Sequence, residues 1–148
     1  DAMVAELLHR LPAGTAVVVT ADHGQVHVGE RLIHLPEEVT GLVDGQSGEA
    51  RFRWLHSRPG AASDLLAAAH QAFDHVGWVR SVDEVLSAGW LGDRVTSTAR
   101  GRLGDVAVVA RDPVAFVDPA EVSSIELIGR HGSLTAAEML VPAVFALT

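Results

Sequence analysis

Thr15-Ala16-Val17-Val18-Val19-Thr20-Ala21 runs directly into Asp22-His23-Gly24, and the fold turns on how this stretch is read. β-Branched side chains suit the pleated surface of a strand. The run is continuously apolar rather than alternating, which predicts a strand buried on both faces, as in a parallel α/β sheet. Upstream, Met3, Val4, Leu7, Leu8 and Leu11 recur at helical spacing, and Pro12 and Gly14 end that helix. In open α/β sheets, ligands bind beyond the carboxyl ends of the strands. Asp22 and His23 fall at that position. A carboxylate and an imidazole are both good zinc ligands. Gly24 lets the chain turn sharply enough for adjacent side chains to face one ion. Asp-His-Gly is equally an ordinary loop after a strand, so the tripeptide alone leaves both readings open.

Working outward, the 148 residues suit one domain or one lobe of a larger protein. The apolar fraction of 48% against 20% charged predicts a globular chain. A net charge of −8 argues against nucleic acid and anionic membranes as partners. The chain has no cysteine, which excludes disulfides, thiolate zinc sites and thiol nucleophiles. All eleven basic residues are arginine and tyrosine is absent, so acid–base chemistry is left to His, Asp, Glu or metal-bound water. No apolar run approaches the roughly 20 residues of a membrane span. No leader is read in this stretch, and cytoplasmic residence is the expectation, with any targeting segment lying upstream of Asp1.

The middle of the chain has a different texture. Glu30 to Leu35 predicts a short strand, and Pro36 to Glu49, rich in Glu, Gly and Asp, predicts loop. Arg51 to Ser57 predicts a strand with Phe52 and Trp54 on one face and Arg51 and Arg53 on the other. Ala61 to His75 reads as helix, and Trp78 to Arg80 as strand. Ser81 with Glu84 fits a capping box that opens a helix ending near Gly89. Asp105 to Ala110 and Val114 to Val117 complete the strands. The segment from 36 to 118 is thus expected to form a small inserted α+β subdomain, bounded by Pro36 and Asp118-Pro119. Residues 1–35 and 119–148 are expected to form the α/β core.

The tail supplies a second cluster. Gly129-Arg130-His131-Gly132-Ser133 precedes Leu134-Thr135-Ala136-Ala137-Glu138-Met139-Leu140-Val141-Pro142. Thr135 with Glu138 offers another capping-box pattern, and Pro142 holds that helix to one or two turns before a returning strand. Taken alone, His131 reads more simply as a surface histidine. His27 and His34 flank the Asp-His-Gly loop and read as exposed rather than supporting, and His9, His56, His70 and His75 are weaker still. Arg51, Arg53 and Arg58 form a small basic cluster that could grip a phosphate. A solvated strand face is the preferred reading for it.

Taken together, the two ends resemble one family. Val17 to Gly24 resembles the strand and Asp-His-Gly motif of the alkaline phosphatase superfamily, in its nucleotide pyrophosphatase/phosphodiesterase branch. Gly129 to Pro142 resembles that branch's terminal histidine loop, and the separation of 131 − 23 = 108 residues matches the family's spacing. The resemblance covers the ends well and the centre loosely.

It implies an alkaline-phosphatase-like mixed or parallel sheet core, present in part, with residues 36–118 as a cap that shapes substrate choice. It also implies two divalent metal ions, taken as zinc. Asp22 and His23 would bind the ion that activates a Thr or Ser nucleophile, and His131 the ion that activates water. The family's nucleophile, its early Asp and its Asp-x-x-x-His pair precede the Asp-His-Gly motif. The 21 residues before Asp22 contain no Asp-x-x-x-His. Thr20 lies within the strand and is not taken as the nucleophile. The expectation is therefore the C-terminal part of a phosphodiesterase or nucleotide pyrophosphatase acting on a small phosphate-ester or nucleotide substrate. No catalytic residue is assigned in this chain, which by itself is expected to be inactive and to self-associate or need a missing N-terminal half. A non-catalytic module with vestigial motifs is the competing reading. Sulfatase, phosphomutase and phosphonate hydrolase activities stay open within the superfamily.

Overall fold

The computed structural model describes residues 2–121 and 127–148. In chain order the elements are α1 (Ala2–Arg10), β1 (Ala16–Thr20), β2 (Val26–His27), β3 (Leu32–Ile33), α2 (Glu37–Thr40), β4 (Val43–Glu49), β5 (Phe52–Ser57) and α3 (Ala62–Phe73). They continue with β6 (Gly77–Ser81), α4 (Val82–Ser87), α5 (Ser97–Arg100), β7 (Val106–Ala110), β8 (Ala115–Phe116), β9 (Gly129–Arg130), α6 (Ala136–Met139) and β10 (Ala143–Leu147).

The core gathers on a four-stranded antiparallel sheet of order β4-β5-β7-β6. Strand β7, Val-Ala-Val-Val-Ala, is buried along its whole length because both faces are covered. Val106, Val108 and Ala110 point with Leu55 and Val79 towards Leu65, Ala69 and Phe73, one face of α3 at helical spacing. Ala107 and Val109 point the other way, to Trp54 and to Val85 of α4. Each fully buried valine contributes about 1.5–3 kcal/mol relative to exposure. Ser81 and Glu84 form the capping box that the sequence predicts, with the Glu84 N–H donating to Ser81 Oγ at 3.2 Å and the Ser81 N–H to Glu84 Oε2 at 2.7 Å.

Smaller pairings surround this sheet. β3 and β8 pair in parallel, and β2 and β9 antiparallel. β1 pairs antiparallel with β10, from Ala16 opposite Leu147 to Thr20 opposite Ala143. Mixed strand pairing and helices packed on a sheet together make an α/β architecture.

Four expectations need correction. β1 is not a doubly buried parallel strand; it lies in a two-stranded antiparallel ribbon and is mostly exposed, because among the described residues β10 is the strand paired with it. Pro36 to Glu49 is not loop: Glu37–Thr40 is helical, and Val43–Glu49 pairs with β5 because main-chain bonding overrides its weak strand propensity. Thr135 makes no side-chain cap of α6; its hydroxyl instead donates to the Glu138 carboxylate, which is drawn inward by Arg51. Arg51 and Arg53 do not line a solvated face, since both are buried. Among the described residues, no helix is long and apolar enough to cross a membrane.

Candidate functional site

β1 carries Asp22 and His23 just beyond its carboxyl end, while β9 leads into His131. Pairing of Val26 with Arg130 and of His27 with Gly129 zips the segment after Asp-His-Gly to the segment before His-Gly-Ser. The two histidines thereby meet: their rings stack with centroids 3.7 Å apart and planes 13° from parallel. Asp22, His23, His131, Ser133, Glu138 and Met139 line a cleft of about 190 Å³. All three residues singled out as metal ligands from the sequence therefore share one cleft.

Local bonding orients them. Asp22 Oδ1 accepts the His23 N–H at 3.0 Å, and Asp22 Oδ2 lies 3.6 Å from His23 Nε2. The Asp22 side chain is 89% exposed, so it is open to a further partner. His23 Nδ1 lies 2.8 Å from the Gly24 carbonyl oxygen. A carbonyl can only accept, so Nδ1 carries the proton of this bond, and Nε2 is the ring nitrogen left free of it. A metal-ligating histidine is commonly held this way by a backbone carbonyl. His131 Nε2 lies 3.9 Å from Glu49 Oε2 at the end of β4. Oxygen and imidazole donors of this kind fit a divalent zinc-like ion. Among the described residues, no three His, Cys, Asp or Glu side chains gather where they could hold one ion.

Two glycines let the loops approach. A Cβ on Gly24 would lie 2.0 Å from the Ala137 carbonyl oxygen, and one on Gly132 would lie 2.5 Å from Glu49 Cβ. Gly132 also has φ +114°, a left-handed region that side chains avoid.

Glu138 lines the cleft at its buried side and is 2% exposed. Its carboxylate takes Arg51 Nε at 2.8 Å and Arg51 Nη2 at 2.9 Å, the Ser133 N–H at 2.9 Å, and the Thr135 hydroxyl. Burial works to raise its pKa, but the bonds from Arg51, Thr135 and Ser133 outweigh burial and hold it below the usual carboxylate range. Arg51 Nη1 also donates to the Asp112 and Val114 carbonyls at 2.9 and 2.7 Å. Arg53 is likewise occupied by Glu121 and by the Phe116 and Gly48 carbonyls. Of the three arginines weighed as substrate contacts, only Arg58 is exposed, and it donates to the Val43 carbonyl.

The other histidines lie apart from the cleft. His9, His27, His34 and His75 are exposed, His56 Nε2 meets Ser47 Oγ at 2.9 Å, and His70 pairs with Asp74. Sequence reasoning missed Glu138 and Glu49. Glu138 carried a misleading signal, the Thr-x-x-Glu spacing of a capping box. Two arginines alternating with aromatics on a strand were the better clue, because a buried arginine demands an acidic partner.

No protein-family profile and no curated protein matches the sequence. Solved structures do match in fold. Human ectonucleotide pyrophosphatase/phosphodiesterase 5 superposes with a TM-score of 0.69 at 17% identity, over 97% of this chain and 37% of that protein. Phosphonoacetate hydrolase from Sinorhizobium meliloti, in complex with phosphonoacetate, gives 0.68 at 20% identity, over 98% and 38%. The murine ectonucleotide pyrophosphatase/phosphodiesterase 5 gives 0.64 at 18%, over 97% and 37%. The chain thus spans less than two fifths of the length of each of these proteins. Over that span it has their alkaline-phosphatase-like α/β fold.

Proposed function

We propose that this chain is the C-terminal portion of a metal-dependent phosphodiesterase or nucleotide pyrophosphatase, with the nucleophile and the remaining ligands supplied by sequence preceding Asp1. The observation that carries the reading is the meeting of Asp22, His23 and His131 in one cleft, on a fold shared with hydrolases of phosphorus compounds. Asp22 and His23 would hold one divalent cation and His131 a second, with zinc the cation their donor chemistry suits. The chemistry such ions supply when bound is activation of nucleophile and water and stabilisation of an in-line displacement at phosphorus.

The chain's own residues do the positioning. The Gly24 carbonyl holds the Nδ1 proton of His23, and Nε2 lies on the side of the Asp22 carboxylate, 3.6 Å from Oδ2. The Gly132 turn brings His131 against His23. Residues 36–118 are assigned the role of a cap that selects a small phosphate-ester or nucleotide substrate. Nucleotide recognition is supported by a murine ectonucleotide pyrophosphatase/phosphodiesterase 5 structure of the same fold that holds AMP.

A second reading, phosphonate hydrolysis, is supported by the near-equal superposition on phosphonoacetate hydrolase. The test expresses the chain together with its preceding sequence. It measures release of p-nitrophenol from a phosphodiester and a phosphomonoester, and of phosphate from phosphonoacetate, with zinc and with a chelator. Diester cleavage that the chelator abolishes is the expected result; no chelator-sensitive activity on any of the three overturns the hydrolase reading. Replacing Asp22, His23 or His131 by Ala is expected to lower kcat/KM by several orders of magnitude. Near-normal rates in all three variants would refute their assignment.

A further inference from the structure

We infer that Glu138 is a positioning residue that fixes the spacing of His23 and His131 by holding both histidine loops at once. Its backbone carbonyl accepts the Gly24 N–H at 2.8 Å, adjacent to His23. Its side-chain Oε1 accepts the Ser133 N–H at 2.9 Å, two residues beyond His131. One residue therefore bonds to main-chain donors of two loops that lie about a hundred residues apart in sequence. The missing Cβ of Gly24 is what allows the first bond, since the Asp-His-Gly loop lies directly on the backbone of α6.

Glu138 is itself immobilised. Arg51 grips its carboxylate in two parallel bonds, the fork geometry that restricts a carboxylate most. Arg51 is in turn clamped to the Asp112 and Val114 carbonyls, and the Ser133 hydroxyl donates to the Ala110 carbonyl. The two histidine loops are thus anchored to the end of β7, to the segment leading into β8 and to the entry of β5. With side-chain exposures of 0% and 1%, the Arg51–Glu138 pair is sealed from water that would compete for its bonds. A buried ion pair adds little net stability over an apolar pair of the same shape, and the role inferred for this one is to fix a single geometry. Here the geometry it defines is the 3.7 Å stack of His23 on His131.

The inference rests on the metal-ligand reading only for its consequence in metal affinity. In the unaltered chain, amide hydrogen exchange under a urea series is expected to show the Gly24 and Ser133 amides opening together, with one urea dependence. Independent openings overturn the proposal, and this measurement needs no variant to fold. In Glu138→Gln, the exchange protection of those two amides is expected to fall at least tenfold relative to the amides of β7. The contact between the His23 and His131 ring protons in the nuclear Overhauser spectrum is expected to disappear, and the affinity for added zinc ion to fall at least tenfold. A uniform loss of protection across Gly24, Ser133 and β7 would mean that Glu138 only stabilises the fold, and an unchanged ring contact would likewise overturn the positioning role. Coupled opening, with no zinc bound even by the chain expressed together with its preceding sequence, supports the positioning role and counts against the ligand reading instead.

Discussion

Strands β1 and β7 are almost the same peptide, Ala-Val-Val-Val-Thr and Val-Ala-Val-Val-Ala, yet their environments are opposite. β7 lies between β5 and β6, with α3 on one face and α4 on the other, and every residue is buried. β1 has β10 as its paired strand, and the ribbon leaves large apolar side chains in water, with Phe145 73% and Leu147 76% exposed. Helix α1 beside it in sequence buries none of its residues, and Met3 is 80% exposed. Apolar content predicts that a strand prefers to be covered. It does not say whether the chain in hand contains what covers it.

Placing a charge in each strand gives the sharpest test. Val108→Asp puts a carboxylate between two packed layers and is expected to destabilise the chain by more than about 4 kcal/mol, enough to abolish the cooperative melt. Val18→Asp, on the exposed ribbon, is expected to change stability by less than about 0.5 kcal/mol. Equal losses in urea denaturation would show that the ribbon is covered in solution.

Acid should separate the two regions by a smaller margin. Glu138 and Asp105 are each pushed up by burial and pulled down further by hydrogen bonds, from Arg51, Thr135 and Ser133 in the first case and from Ser57 in the second. Glu121 is held down chiefly by its bonds to Arg53. All three carboxyls have folded pKa values below their unfolded ones. The stability they contribute is present above about pH 4–5 and is lost as pH falls through the lower, folded values. The ribbon strands carry no titratable side chain. The midpoint of thermal unfolding is therefore expected to be level from pH 8 to 5 and to drop below pH 4. Exchange protection of β5 and β7 amides should fall more steeply with acid than that of the amides paired across β1 and β10, which starts lower; a steeper fall in the ribbon would contradict the ion-pair account.

Association is the mildest expected effect. Unpaired edges and exposed apolar side chains invite another chain. Sedimentation of the 148-residue chain is expected to show concentration-dependent self-association that Val18→Asp with Phe145→Asp weakens. A clean monomer at every concentration would show that the ribbon tolerates water as it stands.

Much of the molecule was legible from local pattern. Helix α3, strands β5, β6 and β7, the Ser81 capping box and the returning strand β10 all follow from periodicity and turn residues, because their stability comes from faces that the sequence itself displays. Strand β4 was hidden because Val-Asp-Gly-Gln-Ser-Gly-Glu has little strand propensity and is held by its pairing with β5. The Asp-His-Gly and His-Gly-Ser motifs were visible as motifs. Their contact was not, since a ring stack across 108 residues depends on the pairing of β2 with β9 and on two glycines accepting close backbone approach.

The residue types available for chemistry, the positions of the two histidine loops and most of the helices and strands were determined by sequence alone, because composition, motif spacing and side-chain periodicity are local properties. Only the tertiary structure decided that Arg51 and Arg53 are buried rather than solvated, that Glu138 joins the two loops, and that one valine strand is sealed while its near-copy is bare. Each of those outcomes depends on a partner distant in the chain, and burial and charge pairing are properties of neighbours in space.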